Sequence, residues 1–267
     1  MKKFFVLLCV FALVLTGCSS ATGKLEKIKS KGEIVVYTDP NFAPFEFLGA
    51  NSQIQGVDVE IAKAIAAELG VTVTFKEANF DSILMAVKGG KGDIAVSGFT
   101  ITDERRKSVD FSIPYINSVQ YLILPAGSNI KVLEDLADKS VGVALGYTGQ
   151  FLIEDEMDKA KDGTEGVLYN QNVDLREYNS ALEAVSDLKN GRIDAVVMDE
   201  YVAKNIVSKN PGLIAVELRY ASGDLAAEEY GVVVPKGNED LLEIINRVIQ
   251  RLIDADKIQE WVVQYSV

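Results

Sequence analysis

Histidine is absent from the 267-residue chain, tryptophan occurs once and cysteine twice, and basic residues are in the minority, 27 Lys and Arg against 39 Asp and Glu. Without histidine there can be no His-dependent catalytic triad, no His-bearing zinc site and no imidazole pH switch. The formal charge of −12 argues against a nucleic-acid partner. Neither a Walker loop nor a dinucleotide fingerprint occurs; LGYTGQ at 145–150 matches neither, although the helix start after it could hold a small anion. Glu154-Asp155-Glu156 with Asp158 lacks calcium-loop spacing and reads as a solvated helix face. No pair of carboxylates stands out for acid–base work, so no enzyme activity, metal or cofactor is expected. What is present is a globular composition, 48% hydrophobic and 25% charged, long enough for one large or two modest domains.

The N-terminus carries Lys2 and Lys3, then an uncharged, mostly apolar run from Phe4 to Thr16, the pattern of a secretory signal. The strictly apolar part is shorter than the roughly 20 residues a membrane helix requires. Leu15-Thr16-Gly17-Cys18 resembles a bacterial lipobox, which implies a signal peptide over 1–17, lipidation of Cys18 and a tether over 18–23. Cys9 lies in the discarded segment. With Cys18 lipidated no disulfide is possible, so stability must come from the hydrophobic cores.

The remainder alternates strands and helices. Glu33 to Thr38, Val71 to Phe75 and Asp93 to Ser97 read as strands. GVDVEIAKAIAAELG at 56–70 places Ile61, Ala62, Ile65, Ala66 and Leu69 on one helical face, and Phe80 to Lys88 reads as a helix capped by Asp81. Such alternation predicts mostly parallel sheets with helices on both faces. One unit occurs twice: LMAVKGGKGDIAVSG at 84–98 and LEAVSDLKNGRIDAVVMD at 182–199 are each a helix, a Gly stop, an Asp and an apolar strand. Ligands in open α/β sheets sit beyond the carboxyl ends of strands, so Ser97 and Asp199 are expected to face one cleft from two lobes. The domain plan is a first lobe of 24–114 plus 231–267 and a second lobe of 120–225. Crossovers at 115–119 and 226–230 would form the hinge, the latter within one strand from Ala226 to Val234.

Several side chains admit two readings. Arg105, in SGFTITDER at 97–105, is either part of a solvated basic patch with Arg106 and Lys107 or a fork for a carboxylate, with Thr102 capping the turn before it. Asp199 is either a helix N-cap or the partner of an ammonium. Phe42 and Phe80 are either core residues or the walls of an apolar slot for a ligand's aliphatic stem.

TDPNFAPFEF, GVDVEIAKAIAAELG, NFDSILMAVKGGKGDIAVSGFTITDERRKSVDFSIPY, VGVALGYTG, GRIDAVVMDE and EEYGVVVPKG stand in this order from Ile34 to Trp261. Together they resemble the bacterial extracellular solute-binding proteins of family three, the polar amino acid branch, which serve ABC importers. The resemblance implies an α/β, two-lobe periplasmic-binding-protein-like fold of type II with a two-stranded hinge. It also implies a lipid-anchored, monomeric, extracytoplasmic protein whose partners are a small amino acid, a permease and, through it, ATPase subunits. Arg105 would clamp the ligand carboxylate with Thr100 and Thr148, Asp199 would pair with the ammonium beside Ser97 and Gly98, Phe42 and Phe80 would pack the stem, and Asp39 would meet the polar end.

Phe42 and Tyr147 depart from the commonest pattern and leave the ligand side chain open, while Asp39 favours glutamine or a basic amino acid. The alternatives are a cyclohexadienyl dehydratase on the same fold, or a ligand-sensing subunit. Sensing would require a separate partner, since the chain stops at Val267.

Overall fold

The computed structural model describes residues 23–266; the expected signal peptide, Cys18 and all of the tether except Gly23 lie outside the described residues. The chain begins with α1 (Lys24–Lys31), β1 (Glu33–Thr38), β2 (Asn41–Phe42), β3 (Glu46–Leu48), β4 (Ile54–Gln55) and α2 (Val57–Leu69). There follow β5 (Thr72–Glu77), α3 (Phe80–Lys88), β6 (Ile94–Ala95), α4 (Asp103–Arg106) and β7 (Val109–Phe111). The middle of the chain forms β8 (Ile116–Pro125), β9 (Ser140–Ala144), α5 (Thr148–Met157), β10 (Asp174–Tyr178), α6 (Ala181–Lys189), β11 (Ala195–Asp199), α7 (Glu200–Ser208) and β12 (Leu213–Glu217). The last elements are β13 (Ala227–Tyr230), β14 (Val233–Pro235), α8 (Glu239–Asp254) and α9 (Lys257–Tyr265).

Two sheets organise these elements, one in the order β5-β1-β6-β14-β7 and one in the order β10-β9-β11-β8-β12, with β13 pairing to β8. Strands joined through helices run parallel, β5 and β6 against β1 and both β10 and β11 against β9. Strands that carry the chain from one sheet to the other run antiparallel: β8 against β11, β12 and β13, and β14 against β6 and β7. This is the two-lobe α/β architecture expected.

Element bounds differ locally from the sequence reading. The strand expected over Ala226 to Val234 is two strands, because β13 belongs with β8 while β14 inserts into the first sheet, and one straight strand cannot serve both. The break falls at Gly231, where a Cβ would lie 2.9 Å from the Ile101 side chain. Asn79, not Asp81, occupies the N-cap position of α3, and its side chain makes no cap bond; Asp81 stands in the first turn. The strand expected over Asp93 to Ser97 keeps ladder pairing at Ile94 and Ala95, flanked by backbone bonds from Asp93 N–H to the Val35 carbonyl and from Val96 N–H to the Tyr37 carbonyl.

The duplicated motif folds twice in the same way. Asp93 N–H donates to the Val35 carbonyl at 2.8 Å while its carboxylate accepts from Val35 N–H at 2.8 Å. In the second sheet Asp194 makes the same pair of bonds with Ser140, at 2.8 and 2.9 Å. Each Asp thus fixes the start of one strand against the next, and the preceding Gly90 and Gly191 take left-handed φ values of 75° and 67° in the turns after α3 and α6. The hydrophobic stripe of α2 buries Ile61, Ala62, Ile65, Ala66 and Leu69 as expected, and α8 buries Leu241, Ile245, Val248 and Ile249 at helical spacing on the same core.

Candidate functional site

Residues at and just beyond the carboxyl ends of β6 and β11 meet around a small cavity. Phe42, Phe80, Gly98, Thr100 and Arg105 line it from one side and Tyr147, Thr148 and Asp199 from the other. The room left is about 10 Å³, close to the minimum for one water, so the lobes stand nearly shut and must part to admit anything larger. A groove of about 770 Å³ beside the cavity shares Phe80, Arg105 and Thr148 with it.

Arg105 is placed by the short α4, whose first turn Thr102 caps by accepting from Arg105 N–H. Arg105 is 7% exposed, whereas Arg106 and Lys107 are exposed, so the solvated-patch reading holds for those two residues alone. Its Nη1 donates to the Thr100 carbonyl at 2.7 Å and Nη2 to the Gly146 carbonyl of the opposite lobe at 2.9 Å. The guanidinium carbon lies 5.5 Å from the Phe80 ring centroid and 5.4 Å from that of Phe99, and the two rings stack at 4.3 Å. Burial pulls its pKa down to about 10, opposed by the nearby acids Glu228 and Asp199, so it remains a cation at neutral pH.

Asp199 follows the last apolar residue of β11 and precedes α7, yet its carboxylate makes no N-cap bond. It turns into the cavity instead, where Oδ1 accepts from Gln120 Nε2 at 2.9 Å and Oδ2 accepts from the Tyr230 hydroxyl. Thr148 opens α5, and its hydroxyl reaches Glu228 Oε1 and stands 3.4 Å from the Thr100 hydroxyl. Three aromatic rings wall the cavity: Tyr147 is 5.6 Å from Phe42 and 4.4 Å from Phe80, centroid to centroid. Among the described residues that line it, Arg105 is the one cation.

Seven of the residues expected from sequence therefore meet at one point: Phe42, Phe80, Gly98, Thr100, Arg105, Thr148 and Asp199. Ser97 and Asp39 lie one layer behind. The Ser97 hydroxyl donates to Glu46 Oε1 at 2.7 Å and accepts from Asp39 N–H at 3.0 Å. Asp39 accepts from Asn41 Nδ2 at 2.6 Å and from Phe80 N–H at 3.2 Å, and burial raises its pKa. Cys18 lies outside the described residues.

Gln120, Glu228 and Tyr230 escaped the sequence reading as site residues, and Tyr147 entered it only as a departure that bears on the ligand side chain. Glu228 shared a strand face with the apolar Tyr230 two residues on, and Gln120 interrupted an apolar strand, so period-2 alternation held the signal for both. Also unforeseen is a fully buried acid pair under Gly98. Asp58 accepts from Gly98 N–H at 2.7 Å and from the Tyr115 hydroxyl at 2.9 Å, with Glu46 close by. Burial lifts Asp58 to about 6, and burial together with the Asp58 charge holds Glu46 well above the usual carboxylate range. Among the described residues no group of His, Cys, Asp and Glu could hold a metal ion, and no helix is long and apolar enough to cross a membrane.

Residues 34–266 match the family described as bacterial extracellular solute-binding proteins, family 3. The chain is 30% identical to a probable histidine-binding protein of Neisseria gonorrhoeae, across 99% of this chain and 96% of that protein. It is 33% identical to the L-cystine-binding protein TcyJ of Escherichia coli K12, across 86% and 81%. In three dimensions it is similar to an amino acid ABC transporter substrate-binding protein of Streptococcus pneumoniae bound to L-arginine, with TM-score 0.81, 32% identity and coverage of 91% and 98%. These relatives carry the names of binding proteins, not enzymes.

Proposed function

The chain belongs to the bacterial extracellular solute-binding proteins of family 3, and from that membership we propose that it captures a cationic L-amino acid, arginine foremost, between its lobes and delivers it to an ABC importer. The observation that carries the proposal is the convergence of Arg105 from one lobe and Asp199 from the other on a single cavity walled by aromatic rings. Arg105, with Thr100 and Thr148, takes the α-carboxylate, for which a guanidinium fork and a helix start are both suited. Asp199, with the Gly98 strand end opposite, takes the α-ammonium. Phe42, Phe80 and Tyr147 pack the stem and present ring faces to a positive side-chain end. Asp39, held behind Phe80 by that residue's own N–H, adds negative charge on the same side.

Closure follows from the division of labour. Asp199 and Thr148 stand on the lobe opposite Arg105, so a ligand has more contacts in the shut form than in the open one, and that difference in affinity drives the lobes together. We take 24–114 plus 231–267 and 120–225 as the two moving bodies; the pairing of β13 with β8 at residues 116–119 supports crossovers at 115–119 and 226–230. The protein acts as a monomer held to the extracytoplasmic membrane face by lipid on Cys18, and a docked permease reads the shut form. Two or more acyl chains give a stable anchor.

Calorimetric titration of residues 19–267 tests the ligand. L-Arginine is expected to bind at least about tenfold more tightly than L-glutamine, a difference near 1.4 kcal/mol. Tightest binding by glutamine or cystine overturns the cation assignment, and failure of every amino acid to bind overturns the ligand class.

A further inference from the structure

Behind the cavity, Thr148, Gln120, Asp199 and Glu228 form a cluster whose hydrogens do not add up. Glu228, on β13, is 7% exposed and pairs across the strands with Ser118 of β8. Its Oε1 is in hydrogen-bond contact with the Thr148 hydroxyl, but its Oε2 and the nearby Gln120 Oε1 are both buried without any donor. Gln120 spends its amide on Asp199 Oδ1 at 2.9 Å, with Thr148 Oγ1 at 3.5 Å, and the Tyr230 hydroxyl spends its hydrogen on Asp199 Oδ2. A buried acceptor without a donor is costly, and two of them in one cluster point to a missing hydrogen. Of the two owners, only the Glu228 carboxyl can carry one.

Charge leads to the same place. The ionisable groups facing Glu228 are Asp199 from β11, Tyr230 from its own strand and Arg105 from α4. Two carboxylates against one guanidinium leave an uncompensated buried charge unless one is neutral. Burial and the Asp199 charge both hold the Glu228 carboxyl well above the usual range.

The state of Glu228 decides what Thr148 offers a ligand. A threonine hydroxyl has one hydrogen. An ionised Glu228 would take that hydrogen and leave lone pairs aimed into the cavity, opposing a carboxylate there. We propose that Glu228 is kept as a neutral acid and serves as a positioning residue for the carboxylate subsite: its proton, on Oε2, supplies the donor that Gln120 Oε1 lacks, and Oε1, left as a carbonyl oxygen, is too weak an acceptor to hold the Thr148 hydrogen, which turns to the ligand carboxylate. This rests on the reading that Arg105 and Thr148 receive a carboxylate. A carboxylate on Arg105 also offsets the one cation that favours ionised Glu228, so binding takes up a proton wherever the free protein has lost it.

The test compares wild type with Glu228→Gln, which is neutral and can donate to Gln120 Oε1 at every pH, and Glu228→Ala, which cannot. L-Arginine affinity of the wild type should fall toward alkaline pH relative to Glu228→Gln, by up to about tenfold per pH unit for one linked proton. Glu228→Gln should bind more tightly than Glu228→Ala throughout. Parallel pH profiles for wild type and Glu228→Gln, or equal weakening by Gln and Ala, overturn the proposal. A second arm needs no ligand: the urea midpoint of the wild type should fall with rising pH relative to Glu228→Gln, because the folded state holds the proton longer than the unfolded one. A constant difference between the two midpoints overturns the neutral acid. If arginine binds neither protein, the amino acid reading of the site fails, and the ligand-free arm still decides whether Glu228 is neutral.

Discussion

Arg105 and Gly146 meet across the cleft, the guanidinium Nη2 of the first lobe donating to the carbonyl oxygen of the second at 2.9 Å. The same guanidinium holds the Thr100 carbonyl at 2.7 Å, so one side chain braces its own lobe and latches it to the other. Arg105→Ala removes the latch and leaves Asp199 without a facing cation. Loss of one member of a buried charge pair costs about 3–5 kcal/mol, so calorimetry should record more than a hundredfold loss of ligand affinity. Unchanged affinity would remove Arg105 from the site.

Gly98 lines the cavity with φ of 54°, and a Cβ there would stand 2.3 Å from the Phe42 ring. Gly98→Ala must therefore displace Phe42 and strain the backbone, a change of the kind that costs about 1–3 kcal/mol. A lowered thermal midpoint together with weakened ligand binding is expected; wild-type values for both would show that the cavity wall is less tightly defined than the structure implies.

Stability should fall as pH rises across the titration of the Glu46 and Asp58 pair. Both carboxyls are raised in the folded protein, Asp58 to about 6 and Glu46 well above its ordinary value. Between the unfolded carboxylate range and these values the folded state binds more protons, so the unfolding free energy declines with pH and levels off above them. The exposed, ion-paired Glu33, Glu68, Asp174 and Asp187 are lowered and push the other way under acid. Comparison with Glu46→Gln separates the two: in urea unfolding the wild type should lose stability relative to the variant as pH rises above the ordinary carboxylate range. Parallel pH profiles would place the titration elsewhere.

Asp39→Asn distinguishes a cationic ligand from a neutral one. The amide keeps the size of the side chain and removes its charge, while its single oxygen can accept from only one of the two donors, Asn41 Nδ2 and Phe80 N–H. Through the lost charge behind the cavity wall, arginine affinity should drop by roughly tenfold, about 1.4 kcal/mol, and glutamine affinity by much less. An equal loss for both would reduce Asp39 to a support for the start of α3.

The parts of this account that lay open in the sequence are those written in local periodicity. The duplicated helix-Gly-Asp-strand unit was visible because it is contiguous, and Asp93 and Asp194 repeat it bond for bond. Ser97 and Asp199 were expected at facing strand ends, and those ends do meet around one cavity, although the Ser97 hydroxyl is committed to Glu46. Glu228 was harder to find because two adjacent glutamates differ only in which face of β13 they occupy, and the register with Ser118 of a strand more than a hundred residues earlier decides that. Glu46 and Asp58 meet only after β3 and α2 fold onto the Gly98 turn, a tertiary event with no local signature.

The most direct test of the zwitterion site is thermal unfolding of residues 19–267 with L-arginine, with the other amino acids, and with agmatine, which keeps the guanidinium but lacks the carboxylate. A ligand of the folded state raises the midpoint by mass action. The account predicts a large rise with L-arginine and little or none with agmatine, because Arg105 and Thr148 would have no carboxylate to hold. An equal rise with agmatine, or no rise with any amino acid, would contradict it.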